Sequence, residues 1–300
     1  MRVFVTGASG HIGSAVLPEL IRAGHEVTGL ARSDTSAAAV SAMGAKVRRG
    51  DLADPDGLRE AAADADAVIH LAFNHDALSH RGFADAAAAD LAMVRTFGDA
   101  LAGTGKTLIG VGLTHTGDAK RDAAIDANPR SAVAREIAGF AERDVRTVLV
   151  AIPPVTHSTR DKSGFIPRLI EIARDTGVSG YVGDGANRWP AGHALDVGRL
   201  YRLALEKAPG GSQLYAAAEE GITVREIAET IGRHLNVPAV SIPAEQTAGH
   251  FAAFPFITFD ITMSSAGTRR LLDWEPVHPG LLADLEDGHY FTTGRAGSAP

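Results

Sequence analysis

The sequence predicts an α/β fold, with a doubly wound parallel β-sheet and a smaller second lobe. Three observations predict it: the length of 300 residues, the alternation of short β-rich runs with Ala-rich helical stretches in the first half, and the loss of this alternation after Pro153. The length suits one large α/β unit or two lobes of ordinary domain size. Strands separated by helices form parallel βαβ units, because the crossover helices must cover both faces of the sheet.

Six strands are predicted in the first half, and helical patterns separate them. Alanine-rich segments such as AAADADA and ADAAAADLAM fit these helices, since alanine has the highest helix propensity. The strands are expected at Val3–Val5, Glu26–Leu30, Lys46–Arg49, Ala67–Leu71, Thr107–Val111 and Arg146–Ala151.

The second half predicts a smaller, discontinuous lobe, part of which returns to the main sheet through QLYAAA. We therefore expect a first domain of residues 1–152 with returning elements at about 191–217, and a second lobe of residues 153–190 and 218–300. Helices are expected near Phe165–Asp175, Leu195–Lys207, Thr223–Leu235 and Ser264–Leu272.

Composition argues against several classes of partner and site. Lys and Arg (29) are outnumbered by Asp and Glu (36), and the net charge of −7 provides no electrostatic footprint for nucleic acid or an anionic membrane. Without cysteine the chain has no disulfide, thiolate nucleophile or Cys-based zinc site. No apolar run has membrane-spanning length, and the amino terminus MRVFVTG lacks a secretory signal. We expect a cytoplasmic protein with a small-molecule substrate, and a homodimer is compatible with these features.

The segment VTGASGHIG, residues 5–13, predicts a phosphate-binding turn between the first strand and a helix that begins near His11. Glycine permits the tight turn at position 7, a close approach of phosphates at position 10 and close helix packing at position 13. Backbone N–H groups and the positive helix end then face a diphosphate. A glycine-rich turn without a ligand is the alternative. The expected dinucleotide-binding residues are Thr6, Gly7, Ser9, Gly10, His11, Ile12 and Gly13.

The end of the second strand favours NADP over NAD as this dinucleotide. A carboxylate there would bind the ribose 2′-hydroxyl of NAD, whereas GLARSD presents Arg32 and Ser33, a cation and a hydroxyl suited to a 2′-phosphate. Asp34 is the argument against this choice, because it follows only two residues after Arg32.

Two further segments complete the predicted cofactor cleft. Asp51, followed by Leu52 in RRGDLAD, is placed to accept a hydrogen bond from the adenine amino group; a simple turn-forming or helix-capping role is equally compatible with the sequence. Leu71 and Ala72 end the fourth strand and are small and apolar enough to lie beside the adenosine ribose.

These motifs resemble the short-chain dehydrogenase/reductase superfamily, specifically the extended or atypical branch with NAD-dependent epimerase/dehydratase-like proteins. TGASGHIG, GDL and HLA occur in the expected order, and GYVGDGANRWPAGHALDVGRLYRLALEK and LLDWEPVHPGLLADLE are similar to distal segments of atypical members. The resemblance spans most of the chain. It implies a Rossmann-type fold and nucleotide binding but not the substrate, since one fold carries many reactions.

The sequence departs from that family at the catalytic pair. Family enzymes usually carry Tyr-x-x-x-Lys on the helix after the fifth strand, and here that helix reads NPRSAVAREIAGFAE, with Arg130 and Ala134 at the two places. The four tyrosines lie in the second half of the chain and none has Lys four residues later: Tyr181, Tyr201, Tyr215 and Tyr290.

Another group must therefore protonate a reacting oxygen, and the carboxyl ends of the strands are where an open α/β sheet binds ligands. Each candidate there also has a structural interpretation. Asn74, His75 and Asp76 could simply form an Asx turn, and Thr114 could simply hydrogen-bond the backbone. His157 could be a buried core residue, and Arg130 could lie in the first turn of a solvated helix. The spacing of five between His70, His75 and His80 fits no metal site. The candidates are His75, Thr114, His115, His157 and Arg130.

Two aromatic segments of the second lobe have open interpretations. In GDGANRWPAGHALD, Trp189 beside Arg188 could wall a substrate pocket. The favoured interpretation is that His193 and Asp196 cap the next helix and brace the lobes. HFAAFPFITFD could line an apolar cavity, but a core role is favoured; its phenylalanines are Phe251, Phe254, Phe256 and Phe259.

The sequence as a whole predicts an NADP(H)-dependent oxidoreductase that reduces a small or medium apolar carbonyl compound with a proton donor other than tyrosine. Two other classes remain open. One is an epimerase, dehydratase or cyclase that uses the cofactor transiently. The other is a non-catalytic protein that senses NADP(H).

Overall fold

The computed structural model describes residues 1–73, 82–113, 119–251 and 254–292. The chain divides into two compact units at residue 152. The first consists of Met1–Ile152, Val197–Tyr215 and Gly267–Trp274, and the second of Pro153–Asp196, Ala216–Ala266 and the chain from Glu275 onward. The predicted returning segment of about 191–217 compares with Val197–Tyr215 here, and the short segment 267–274 also packs with the first unit.

A parallel sheet of seven strands forms the centre of the first unit, in the order β10-β6-β5-β4-β1-β2-β3. The predicted α/β, doubly wound fold is confirmed. Because β1 pairs with β2 on one side and β4 on the other, the strand order reverses at β1 and β4, where such sheets bind ligands. The strands are β1 (Arg2–Thr6), β2 (Glu26–Ala31), β3 (Lys46–Arg49), β4 (Ala67–His70), β5 (Thr107–Val111), β6 (Arg146–Ala151) and β10 (Ser212–Tyr215).

Helices between these strands enclose a core of the first unit that includes Phe4, Val68, Phe97, Leu108 and Ile137. The apolar side chains of the buried strands and the inner faces of the Ala-rich helices meet in this core. For this reason the alternation of β-rich and Ala-rich segments in the sequence predicts the fold class. The helices are α1 (Gly13–Arg22), α2 (Asp34–Ala42), α3 (Pro55–Asp64), α4 (Phe83–Leu101), α5 (Ala119–Asp126) and α6 (Ser131–Gly139). Helix α1 begins two residues later than predicted, at Gly13.

The second unit contains two small sheets, one of order β11-β9-β7 and one of order β12-β8. Their strands are β7 (Val155–His157), β8 (Ser179–Val182), β9 (Arg188–His193), β11 (Glu219–Thr223) and β12 (Ala239–Ile242). The later helices of the chain, which include the four predicted ones, are α7 (Phe165–Thr176), α8 (Ala194–Lys207), α9 (Val224–Leu235), α10 (Thr247–His250), α11 (Ala266–Leu272) and α12 (Leu281–Glu286).

The aromatic residues of the second unit divide between core and surface. Trp189 is fully buried and its Nε1 donates a hydrogen bond to the Phe259 carbonyl at 3.1 Å, so it is a core residue and not a pocket wall. Phe251 is buried with it, but Phe256 and Phe259 are 42% and 46% exposed. The favoured core interpretation therefore fails for those two. Within the described part of the chain, each helix is too short or too polar to cross a membrane.

Candidate functional site

The turn after β1 has a backbone that only glycine accommodates at its first position. Gly7 has φ of +66°, which L-residues rarely adopt, and a Cβ there would lie 2.7 Å from the Ala72 nitrogen. The Gly10 N–H closes the turn by donating to the Gly7 carbonyl at 3.0 Å. The turn is therefore pressed against the chain that leaves β4.

The other two glycines of the turn have different structural requirements. A Cβ at Gly13 would lie 2.2 Å from the Gly7 carbonyl oxygen, so the start of α1 can pack on the turn only with glycine there. A Cβ at Gly10 meets only that same oxygen, at 3.2 Å, which a small shift relieves. The protein itself barely requires glycine at position 10, whereas a phosphate lying against the turn would require it. This surface fits the diphosphate of a dinucleotide.

Helix α1 presents its amino-terminal end at this turn. Ile12 is the N-cap residue, it makes no side-chain capping hydrogen bond, and the first turn of the helix contains no acidic residue. The positive end of the helix is thus open to an anion. Ser9 is exposed and His11 is partly buried beside it. Thr6, also predicted to bind the dinucleotide, has a fully buried side chain whose hydroxyl bonds protein groups.

Arg32 directly follows β2, and both Arg32 and Ser33 are exposed. Ser33 is the N-cap of α2, where its Oγ accepts a hydrogen bond from the Ser36 N–H at 3.2 Å. Asp34 is the carboxylate whose position argues against NADP. It forms an ion pair at 2.7 Å with Arg49, at the end of β3. The pairing of Asp34 with Arg49 offsets its negative charge next to the predicted 2′-phosphate site.

The predicted adenosine contacts lie at the ends of β3 and β4. Asp51 is exposed, and its Oδ1 accepts a hydrogen bond from the Ala53 N–H at 2.9 Å, so it forms the turn that its alternative interpretation predicts. Leu52 packs partly against the core. Leu71 and Ala72 are partly buried, and the Leu71 N–H donates to the Thr6 carbonyl at 3.3 Å. Both therefore lie at the turn.

A buried row of polar side chains leads away from the turn. Thr6 and His70 are register partners on β1 and β4, and Thr6 Oγ1 lies 2.7 Å from His70 Nδ1. His70 Nε2 donates to Asp90 Oδ1 on α4 at 2.7 Å, because a carboxylate can only accept. The other His70 nitrogen then accepts the Thr6 proton. Neither His70 nor Asp90 is among the site residues that the sequence predicts; an acidic residue on the apolar face of an Ala-rich helix is the one signal that could have pointed to Asp90.

Arg130, one of the candidate catalytic residues predicted from the sequence, lies next to Asp90 at the end of this buried polar row. It immediately precedes α6, its Nη2 lies 3.4 Å from Asp90 Oδ2, and its guanidinium lies 4.4 Å from the centre of the Phe73 ring. Ala134, at the place of the family lysine, is buried in the core. His75, Thr114 and His115 lie outside the described residues.

Two of the four tyrosines, Tyr201 and Tyr290, are buried in the protein. Tyr201 is fully buried, and burial raises the pKa of its hydroxyl. Tyr290 is buried, its hydroxyl donates to Asp161 at 3.1 Å, and burial together with the Asp161 charge raises its pKa. A hydroxyl with a raised pKa in a protein core is a poor proton donor for a ligand.

His157 lies in the second unit, within a cluster of histidines. It is fully buried, and its Nδ1 donates to Asp284 Oδ2 at 2.8 Å. The His193 ring lies perpendicular to it at 5.3 Å and stacks on the His278 ring at 4.8 Å. No group of three or more ligands in the described residues could hold a metal ion. The burial of His157 favours its structural interpretation.

His193 and Asp196 both act at the start of α8. His193 Nδ1 accepts a hydrogen bond from the Leu195 N–H at 3.2 Å, and Asp196 accepts from the Val277 and His278 N–H groups, each at 3.0 Å. His193 therefore has the capping role that was favoured for this segment. Asp196 instead holds the loop at Val277 and His278, which belongs to the same unit.

The histidine cluster predicts acid sensitivity. Burial, followed by the neighbouring His157, lowers the pKa of His193 to about 4 from the ordinary 6.5, against the opposing charges of Asp284 and Asp196. The unfolded chain therefore binds more protons between these values, so stability falls as pH drops from 6.5 towards 4. We expect a loss of about 3 kcal/mol in the free energy of unfolding, measured by urea denaturation at successive pH values.

His193→Gln is the variant that isolates this effect, since the amide oxygen of glutamine can still accept a hydrogen bond. Its stability should decline less than that of the wild type over the same pH range. The pKa of His250 is also lowered by burial and contributes in the same direction, so a residual slope is expected. Identical pH profiles for the two proteins would contradict the assignment to His193.

Comparisons with known proteins agree with this geometry. A model of the NAD dependent epimerase/dehydratase family matches residues 3–121. An uncharacterized protein of Schizosaccharomyces pombe is 39% identical over 97% of this chain and 100% of its own. A 4-hydroxy-2-methyl-3-oxo-4-farnesyl-3,4-dihydroquinoline-1-oxide ketoreductase of Stigmatella aurantiaca is 29% identical over 83% of this chain and 79% of its own. The crystal structure of Thermus thermophilus UDP-glucose 4-epimerase with NAD has a TM-score of 0.72 at 18% identity, covering 98% of this chain and 100% of that one; this is a likeness of fold.

Proposed function

The chain belongs to the NAD dependent epimerase/dehydratase family, and from that premise we propose that it is an NADP(H)-dependent reductase of small or medium apolar carbonyl compounds. The observation that carries the proposal is the turn at Gly7–Gly13, with space at Gly10 for a phosphate and Arg32 at the end of the neighbouring strand. The name of the Stigmatella relative, a ketoreductase, supports carbonyl reduction.

The residues of the site have separate tasks in this proposal. The turn and the open end of α1 bind the diphosphate, and Arg32 holds the 2′-phosphate next to Ser33. Leu71 and Ala72 lie beside the adenosine ribose. A bound reduced nicotinamide supplies the hydride. Because the sequence has no Tyr-x-x-x-Lys, the proton comes from a side chain after β4 or β5, and His75, Thr114 and His115 are the candidates.

The experiment is incubation of the purified protein with NADPH and a panel of aldehydes and ketones of increasing apolar size. Loss of NADPH absorbance with formation of an alcohol supports the proposal. Binding of NADPH without any turnover would favour the NADP(H)-sensing alternative, and would contradict the reductase.

An isomerising enzyme of the epimerase, dehydratase or cyclase type is the second candidate. The epimerase fold of the Thermus structure and the family itself favour it. Such an enzyme uses the cofactor transiently, so a product would form without net loss of NADPH absorbance. The same incubation, followed by chromatography of the products, separates the two candidates.

The choice of NADP predicts a selective effect of Arg32→Glu. Removing the cation and adding a carboxylate should weaken NADPH binding by about 1.5–3 kcal/mol more than NADH binding, the value of a charge-assisted hydrogen bond. Calorimetric titration with both cofactors measures the difference. Arg59→Glu, at another exposed arginine on α3, is the control. Equal losses for NADPH and NADH would contradict the 2′-phosphate site.

A further inference from the structure

The buried row from the glycine turn to Arg130 ends in a cation that remains partly accessible. Thr6, His70 and Asp90 are at most 3% exposed, whereas the Arg130 side chain is 24% exposed. All four residues belong to the first unit. Three buried groups thus connect the predicted phosphate site to one charged group, and the row passes through His70 at the carboxyl end of β4.

Among the described residues, the Arg130 guanidinium contacts Asp90 and Phe73, and these contacts orient it without using all five of its N–H donors. Its Nη2 is 3.4 Å from Asp90 Oδ2, which is longer than a good hydrogen bond, and no described residue donates a hydrogen bond to that oxygen. A buried carboxylate attracts the cation electrostatically, and the Phe73 ring supports one face of it at 4.4 Å. The position and the plane of the guanidinium are therefore set before any ligand arrives.

A guanidinium in this position has chemistry that differs from that of a tyrosine. Arginine stays charged at all relevant pH values and presents planar N–H donors, so it cannot serve as a general acid but can hold an anionic oxygen. We propose that Arg130 forms an oxyanion site for the substrate, which binds the reacting carbonyl oxygen and, through the same N–H groups, the carboxylate of an apolar carboxylic acid. Asp90 and Phe73 are positioning residues.

This inference rests on the proposed carbonyl reduction. When the carbonyl carbon accepts hydride from NADPH, the reductant of the proposed function, the π electron pair of the C=O bond moves onto the oxygen. The N–H groups of Arg130 hold the resulting alkoxide until a proton reaches it from the separate donor, which yields the alcohol. Preorganised donors at a developing oxyanion lower the barrier because they need no reorganisation during the reaction.

The test compares binding of hexanoate with binding of hexanamide, its neutral isostere, by calorimetry on the full chain with and without NADP⁺. The wild type should prefer hexanoate. Arg130→Met should weaken hexanoate binding by about 10- to 100-fold, the range for loss of a charged hydrogen bond, and should weaken hexanamide binding much less. Arg135→Met is the matched control, since Arg135 lies on the same helix and its side chain is 60% exposed.

Several outcomes would overturn the inference: equal hexanoate affinity in Arg130→Met and wild type, no preference for hexanoate in the wild type, or equal losses in Arg130→Met and Arg135→Met. If Arg130→Met does not fold, as judged by circular dichroism, Arg130→Lys replaces it. Lysine keeps the charge but not the planar fork, so hexanoate should still bind more weakly than in the wild type, and wild-type affinity would overturn the proposal.

The positioning role of Asp90 has its own readout in the same assay. Asp90→Asn keeps the size of the side chain and can still accept a hydrogen bond from His70, but it removes the charge that orients Arg130. It should lower hexanoate affinity and kcat for carbonyl reduction with little change in NADPH binding. A loss of stability alone, with hexanoate binding intact, would show that Asp90 is only structural.

Failure of the inference is distinguishable from failure of the proposed function. If no carbonyl compound is reduced but hexanoate binding depends on Arg130, the anion site stands and the reductase proposal fails. If carbonyl compounds are reduced by Arg130→Met at the wild-type rate, the reductase proposal stands and the oxyanion site fails.

Discussion

Gly10→Val is expected to abolish NADPH binding and leave the fold intact. A Cβ at this position meets only the Gly7 carbonyl oxygen, at 3.2 Å, so the protein can accommodate it with a small shift. The branched side chain would instead occupy the space in which the diphosphate approaches the turn. Calorimetric titration with NADPH measures the loss, and circular dichroism with thermal melting checks the fold.

Two other glycines serve as controls for this experiment. Gly139→Val, where nothing lies within 4 Å of the added Cβ, should bind NADPH like the wild type. Gly13→Val should lose its fold as well as its ligand, because the added atom would lie 2.2 Å from the Gly7 carbonyl oxygen. NADPH binding by Gly10→Val at wild-type affinity would mean that this turn is not the phosphate site.

His75→Ala is expected to lower turnover by about 100-fold, the usual scale for a general acid, with NADPH affinity nearly unchanged. His75 follows β4 by five residues, and β4 pairs with β1, so the chain leaves the sheet beside the glycine turn. An imidazole with a pKa of about 6.5 can donate a proton at neutral pH, whereas a threonine hydroxyl can only relay a proton or orient the carbonyl. The measurement is kcat as a function of pH.

Thr114→Val should have a smaller effect on kcat than His75→Ala, and replacement of each tyrosine by phenylalanine should also be milder. Full turnover by His75→Ala across the pH range would move the donor to His115, His157 or a bound water. The complete burial of His157 makes His115 or water the next candidate to test.

Much of the first unit was predictable from local sequence. Three of the six predicted strands, at Lys46–Arg49, Thr107–Val111 and Arg146–Ala151, match the structure fully, and the other three match to within one residue at each end. Strand and helix patterns have periods of a few residues, and the glycine turn lies within nine consecutive positions, so neighbouring residues contain the information. The return of the chain to the main sheet at QLYAAA was also predicted, and it occurs as β10, which pairs with β6.

The sequence by itself determined the fold class, the positions of the strands in the first half of the chain and the location of the glycine turn. Tertiary structure alone decided which polar side chains meet. Asp90 is twenty residues from His70 and Arg130 is a further forty, yet these three lie together, as do Asp34 and Arg49. The physical reason is that hydrophobic periodicity acts between neighbours in the chain, whereas a buried charge is compensated by whichever segments the packed sheet brings beside it.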